Sequence, residues 1–558
     1  MPEVGSGGPA AAPWEGAAGR LAGLGVSQGR AAGPVMRLGE PPALPAPAPV
    51  TDPGAEAATV AKALGAVAAE LNRRALAADG EAAEILEALA MIAEDPLLLE
   101  EAERLTAGGT SAPHALDAAF TTHREALAAL GGYLAERAAD LDDLRHRAVA
   151  SALGVPMPGL PSPGHPYVLV ATDLSPADTA GLGPDVLALV TERGGPTSHT
   201  AILARAMGLP AVVACAGVTG LDDGTVIGVD GGTGEIAIGL TEREADEVAR
   251  AEIAHRARLR AGRGPGRTAD GHPVKLLLNI GSAADLAPRD AEAGAEGMGV
   301  AATGAEGVGL FRTEFLFLDR KQAPSFEEQV TAYAEVFAQA EHVIVRTLDA
   351  GTDKPLPFLG LPEEQNPALG VRGLRVDRLL PDVLDTQLDA IAAAARRAGA
   401  EPWVMAPMVT TVGEASDFAR RARAKGIARV GVMVEVPAAA LRAGRLLQEV
   451  DFLSVGTNDL AQYTFAADRQ HSALADLLDP RQPALLELIG LCAQAGRQAG
   501  KPVGVCGEAA GDPVLAPLLV GLGVTSLSMA PVCVPAVREA LAGLTLEECR
   551  ERARAALE

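Results

Sequence analysis

Between residues 55 and 150 apolar side chains recur at intervals of three and four: Val60, Leu64, Val67 and Leu71, then Ile85, Leu89 and Ile92, then Leu127, Leu130, Leu134, Leu141 and Leu144. Such spacing lines one face of a helix, and Pro occurs in this stretch only at 96 and 113, so the segment reads as an α-helical bundle. Two Pro- and Gly-rich segments, EPPALPAPAPVTDPG (40–54) and SALGVPMPGLPSPGHP (151–166), bracket it as linkers. The period then changes. YVLVATD, VLALVTE, AVVAC and GTVIGVDG are short Val-rich runs that predict strands of a small α/β unit ending near residue 240. SPADTAGL, after the first of them, reads as a capped helix start. The charged, unbroken segment 240–262 predicts a connecting helix.

From residue 268 the alternation becomes regular. VKLLLNIG (274–281), EGVGLFRTEF (306–315), HVIVRTLD (342–349), WVMAPM (403–408), VGVMVE (430–435), FLSVGTND (452–459), PVGVCGE (502–508) and SLSMA (526–530) are strand-like runs separated by helix-sized segments. Eight such units predict a (β/α)8 barrel. The chain therefore reads as a multidomain α/β protein. Residues 1–18 are a disordered extension, 19–50 and 151–240 the small α/β domain, 51–150 the inserted bundle, 241–265 a linker helix and 266–558 the barrel.

Composition narrows the function. Aromatic residues are 3% of the 558, so cores are built from Ala, Leu and Val, and base-stacking platforms for single-stranded nucleic acid are not expected. The charge sum, 47 − 72 = −25, repels a phosphate backbone and speaks against nucleic-acid partners. Cys215, Cys492, Cys506, Cys533 and Cys549 form no CxxC pair, as expected in a reducing compartment without a disulfide or zinc framework. No uncharged apolar run approaches the ~18 residues of a membrane span, and the N-terminus has neither a basic region nor an apolar core. A cytoplasmic protein with no membrane insertion is the expectation.

The barrel runs end in chemistry: Asn279, Arg312, Arg346, Glu435, Asn458, Asp459, Cys506 and Glu508 stand at their carboxyl ends. One polar rim residue means little, because loops are polar. Recurrence on several strands points to the face where this fold places active sites. Arg312 and Arg346 suit phosphate and carboxylate. Glu435 and Asp459, with no His nearby, suit Mg²⁺. Arg469, ten residues past Asp459, can close over the same anion. The implied ligand is small, doubly anionic and phosphorylated. Cys506 has the ordinary reading of an inert buried thiol, but its rim position and flanking Gly make it a candidate proton donor.

A second signal is TERGGPTSHTAILARAMGLPAVV (191–213). A Gly-Gly approach, N-capping hydroxyls at Thr197 and Ser198, and a stop at Gly208 place His199 on the first turn of a helix. That electropositive end favours a neutral imidazole and stabilises a phosphoryl group attached to it. A lone His more often caps or packs a turn; this setting tilts His199 towards phosphohistidine.

Together GGPTSHTAILARAMGLPAVV, EGVGLFRTEFLFLDR, VIVRTLDAGTDKPLPF, NPALGVRGLR, GVMVEVPAAA, DFLSVGTNDLAQYTFAADR and VGVCGEAAGDP resemble Enzyme I of the bacterial sugar phosphotransferase system, the phosphoenolpyruvate-protein phosphotransferases. The resemblance runs from GLGVSQGRAAGPV to about residue 540. It implies that His199 is phosphorylated and that Arg312, Arg346, Arg469 and Asn458 hold phosphoenolpyruvate, with Arg372 assisting. It further implies that Glu435 and Asp459 bind Mg²⁺, and that Cys506 protonates the enolate to give pyruvate. A histidine-containing phosphocarrier protein is the implied partner, the bundle its docking domain, and a homodimer through the barrel the implied assembly. Dikinases and phosphoenolpyruvate synthases share the barrel and histidine motifs but add an ATP-grasp domain. A dikinase-like enzyme and a non-catalytic regulatory paralogue stand as the alternatives. Leu89 occupies a position where the family's E-A-H pattern has His, and AGAEGMGVAATGAEGVG is longer than the family's equivalent. Residues 51–150 carry 8 − 18 = −10 of the net charge, with Glu81, Glu84 and Glu87 spaced to share one helix face. That is either a solvated surface or a guide for a basic carrier.

Overall fold

Asp52 starts the first long helix. Its carboxylate accepts from the backbone N–H groups of Gly54 (3.0 Å) and Ala55 (3.1 Å), and Pro53 at the first turn gives up no hydrogen bond. The helix Pro53–Ala75 therefore begins where the Pro-rich linker ends. Helices Glu81–Ala93, Pro96–Ala107, Ala112–Leu130 and Ala138–Leu153 complete a bundle among the described residues. Val60, Leu64, Val67, Leu71, Leu89, Leu116, Phe120, Leu141 and Leu144 fill its core. Leu89, at the position where the resemblance leads one to expect His, is 1% exposed and packed in this core.

The computed structural model describes Trp14, residues 17–39, 41–76, 81–130, 138–157, 159–161, 163–174, Asp178, and residues 182–195, 198–286 and 303–318; it also describes Arg320, residues 322–352, 356–362 and 364–468, Leu474 and residues 477–558. The helix expected at SPADTAGL lies largely outside this set, as do the side chains of Ile85, Leu127, Leu130 and Leu134. The chain forms two compact units, Ala11–Glu252 and Ile253–Glu558.

In the first unit one eight-stranded sheet carries the bundle as an insertion. Its strands are β1 Gly19–Ala22, β2 Leu24–Ser27, β3 Arg30–Arg37, β4 Tyr167–Ala171, β5 Val186–Thr191, β6 Ala211–Val213, β7 Val226–Asp230 and β8 Glu235–Ile238. They lie in the order β1-β8-β7-β3-β4-β5-β6-β2. β3 pairs in parallel with β4 (Val35 beside Val168), across the whole bundle in sequence. β1 to β3 are short, Gly- and Ala-rich strands whose partners lie far along the chain. Arg147, 0% exposed, joins bundle to sheet domain through Asp143 and Asp178 at 2.8 Å each. Within the segment expected to be disordered, Trp14 packs with Ala32, Ala237 and Leu240; residues 1–13 lie outside the described residues. A Cβ on Gly228 would come within 2.5 Å of that indole, so the glycine makes the slot.

In the second unit a closed parallel barrel forms from β9 Lys275–Ile280, β10 Val308–Arg312, β11 Val343–Arg346, β12 Trp403–Ala406, β13 Arg429–Val434, β14 Phe452–Val455, β15 Val503–Val505 and β16 Ser526–Met529. All eight expected runs are strands, and the connecting helix is Glu242–Ala261. With few aromatics, the barrel interior is filled by Leu310, Ile344, Met405, Met433, Phe452 and Cys506. Gly431 vacates the space for Phe452, whose ring would stand 2.5 Å from a Cβ there. No helix among the described residues is long and apolar enough to cross a membrane.

His342, just before β11, sets its ring edge-on to Trp403 at 5.0 Å. Burial, with Lys275 nearby, pushes its pKa down to about 4. The unfolded chain binds this proton near pH ~6.5, so His342 costs stability as pH falls from there towards 4. Urea unfolding across that range should show a shallower decline for His342→Phe than for the parent, and identical slopes would show that His342 is already protonated in the fold.

Candidate active site

β10 and β11 end in register on Arg312 and Arg346. Arg346 is 7% exposed. Its Nη2 donates to Glu314 at 2.9 Å, its Nη1 lies 3.3 Å from Asp349 and 4.0 Å from Glu435, and its Nε is buried with no partner among the described residues. Burial opposes the charge, but Glu314, Asp349 and Glu435 outweigh it and raise the pKa further. Arg312 is open to the mouth of the barrel and makes no hydrogen bond or ion pair among the described residues. Desolvation by the surrounding rim and the like charge of Arg346 lower its pKa. Two guanidinium groups thus offer unused N–H donors beside each other.

The carboxylates sit deeper. Glu435 follows β13, is 1% exposed, and accepts from the Met408 N–H at 2.7 Å. Met408 holds that N–H in place with a left-handed backbone (φ 56°), a conformation a non-glycine residue adopts only under constraint. Burial, then Asp459 and Asp349, raise the pKa of Glu435 to about 7. Gly456 gives it room: a Cβ there would lie 2.9 Å from the Glu435 side chain. Asp459 lies in the first turn of the helix Thr457–Phe465, directly after β14, and accepts from Arg372 Nη1 at 3.0 Å. Arg372, 1% exposed, also reaches Asp349 at 3.2 Å.

Cys506 closes the ring after β15. It is 2% exposed, and its Sγ donates to the Val455 carbonyl at 3.5 Å. Burial pushes its thiol pKa up to about 11, so the sulfur carries a proton at neutral pH. Asn279 donates to the Cys506 carbonyl at 3.1 Å. Asn458 exchanges two bonds with Glu508, each 3.2 Å.

Three family models match in order along the chain: the N-terminal segment of PEP-utilising enzymes over residues 22–137, their mobile domain over 163–234 and their PEP-binding domain over 257–546. A phosphoenolpyruvate-protein phosphotransferase of Streptomyces coelicolor is 54% identical over 545 residues, 96% of each chain. The chain belongs to this family. A phosphoenolpyruvate-protein phosphotransferase of Haloferax volcanii is 40% identical over 86% of this chain and 85% of its own, and one of Bacillus subtilis is 36% identical over 95% of both.

Among the phosphotransferase residues named from sequence, the structure gathers Arg312, Arg346, Glu435, Asp459, Asn458 and Cys506 on one rim. Arg372 stands beside them, its guanidinium engaged by Asp349, Asp459 and the Tyr463 hydroxyl. Arg469 lies outside the described residues, as does the side chain of His199. The backbone places His199 first in the helix His199–Met207, where Ser198 Oγ accepts from the Ala201 N–H at 3.3 Å and Gly208 ends the helix at φ 63°. Glu314, Asp349 and Met408 were missed. Glu314 and Asp349 carried a signal, an acid two or three residues after a strand-end Arg; Met408 carried none.

No group of three His, Cys, Asp or Glu residues arranged as a metal cage occurs among the described residues. The fit to Mg²⁺ rests instead on the donor set. Two buried carboxylates, Glu435 with its pKa raised to about 7 and Asp459 beside it, suit an ion that keeps several waters and takes one or two carboxylates plus ligand oxygens. Removing Arg372 would take a guanidinium partner from the buried carboxylates of Asp349 and Asp459. Arg372→Met should therefore lower the unfolding free energy by about 3–5 kcal/mol in urea titration, and a loss below about 1 kcal/mol would show that water replaces the guanidinium.

Proposed function

We propose that the protein moves the phosphoryl group of phosphoenolpyruvate onto His199 and then to a histidine of a small phosphocarrier protein, releasing pyruvate. The observation that carries this reading is the rim itself. Adjacent strand-end arginines with unused donors stand over a buried carboxylate pair and beside a thiol that holds its proton. Phosphoenolpyruvate needs these three features: cations for its phosphate and carboxylate, a place for a divalent ion, and an acid for its carbon.

In this reading Arg312 and Arg346 bind the two anionic ends and fix the substrate. The imidazole nitrogen of His199 attacks phosphorus, the bridging P–O bond breaks, and its electron pair passes to the enolate of pyruvate. The enolate carbon takes the proton of Cys506 Sγ, and water returns a proton to the sulfur. A pKa of about 11 suits this task, because the thiol stays loaded until a strongly basic carbon forms. Mg²⁺, when bound, would neutralise phosphoryl charge, and Glu435 and Asp459 are the residues that would hold it. His199 and the rim belong to separate units, so the reaction requires them to meet and part, with the connecting helix as the place for a hinge.

The acidic bundle suits a basic carrier; of its expected charged face, Glu87 is exposed, while the side chains of Glu81 and Glu84 lie outside the described residues. The family resemblance adds a homodimer through the barrel, a cytoplasmic setting and service to sugar uptake.

Incubation with labelled phosphoenolpyruvate and Mg²⁺ should leave acid-labile, base-stable phosphate on the protein, and His199→Ala should leave none. Labelling from ATP instead would move the reading to a dikinase, and normal labelling of the variant would remove His199. Cys506→Ala should keep phosphoenolpyruvate binding while pyruvate release slows by about 10²-fold or more; an unchanged turnover would exclude the thiol as proton donor.

A further inference from the structure

Behind the charged rim one neutral side chain has all its hydrogen-bonding groups engaged. Gln387, on the helix Pro381–Ala398, is 1% exposed. Its Oε1 accepts from the Leu348 N–H at 2.9 Å, and its Nε2 donates to Thr313 Oγ1 at 3.0 Å and to the Tyr333 hydroxyl at 3.1 Å. Every proton in this cluster has one direction available. Leu348 N–H can only donate, so the amide oxygen must face it and the amide nitrogen must face the two hydroxyls. Thr313 then sends its own proton to the Arg346 carbonyl at 2.9 Å, and Tyr333 sends its proton to Gln329 Oε1 at 3.3 Å. Gln329 Nε2 passes on to the Pro324 carbonyl at 3.2 Å. Thr313 and Tyr333 are 0% exposed and Gln329 3%, so no water is at hand to replace a lost bond.

The places held are telling. Thr313 lies between Arg312 and Glu314, while Leu348 lies between Arg346 and Asp349 in the loop that follows β11. Gln387 touches none of the charged groups, yet it fixes the backbone that aims four of them.

We infer that Gln387 is a positioning residue for phosphoenolpyruvate binding, acting through Thr313 and Leu348 on the two strand ends that carry Arg312 and Arg346. The inference rests on the function proposed above. The two arginines touch the substrate before and during transfer alike, so loosening them removes binding shared by ground and transition states. That loss appears in KM more than in kcat. The Tyr333 arm leads away from the strand ends and serves as the internal control.

Steady-state phosphorylation from phosphoenolpyruvate with Mg²⁺ and carrier, alongside thermal melts, tests this. Gln387→Met and Thr313→Val should each raise KM for phosphoenolpyruvate about tenfold or more with a much smaller change in kcat. Thr313→Ser, which keeps the hydroxyl, should restore KM. Tyr333→Phe should lower Tm and leave KM alone. Folded Gln387→Met and Thr313→Val proteins with the parent KM would overturn the inference, as would an equal rise in KM for Tyr333→Phe, which marks general loosening. If Gln387→Met does not fold, the Thr313→Val and Thr313→Ser pair decides. A parent protein that takes no phosphoryl group from phosphoenolpyruvate overturns the functional reading and this inference together; an active parent with unmoved variants overturns the inference alone.

Discussion

The barrel mouth must bury charge without a full set of opposite charges. Arg346 and Arg372 are nearly inaccessible, and so are Asp349, Glu435 and Asp459, with Glu314 at their edge. Taking ions out of water is costly unless each meets a partner, and here the acids outnumber the buried bases. The leftover shows as Glu435, held closer to neutrality than any ordinary carboxylate. Arg312, at the opening, makes no hydrogen bond or ion pair among the described residues. In the function proposed above, this arrangement would receive a divalent cation and an anionic substrate together.

Holding such a cluster requires support that carries no charge. Met408 turns an N–H onto Glu435 through a backbone conformation that side chains disfavour, and Gly456 keeps the next strand's exit clear of the same carboxylate. Asn279 on β9 donates to the Cys506 carbonyl, and Asn458 in the helix after β14 bonds Glu508, so the Cys506–Glu508 loop is tied down at both ends. Gln387 does the same for the two arginine-bearing ends. Neutral amides suit this work: they fix direction through paired donors and acceptors and leave the local charge balance untouched.

Much of this was legible in the sequence, and what was missed has a common cause. Eight Val- and Leu-rich runs with polar ends announce a barrel and its working face, because period and strand length are local properties. The same reasoning placed His199 on a helix start from the Gly-Gly approach, Thr197, Ser198 and Gly208. It left β1 to β3 unassigned, since their pairing depends on β4, β7 and β8 far downstream. It could not show that Arg372 is engaged by Asp349 and Asp459, because spacing says which residue types arrive at a rim but not how they pair there. Gln387 is silent in sequence: a Gln on an amphipathic helix looks solvent-facing until the packing shows it turned inward.

The insertion of the bundle between β3 and β4 has a bearing on how the chain comes to be folded. These neighbours form the parallel centre of their sheet, yet the ribosome delivers the whole bundle between them. An open chain of that length makes their encounter entropically slow, with a cost that grows only as the logarithm of loop length. The bundle owns a separate apolar core, so it can collapse first on local contacts and draw the two strands together as it does. Sheet closure then waits on helix packing rather than on a random search. Lesions in the bundle core would surface as slow or mispaired assembly of the sheet of the same unit, some distance from where the change was made.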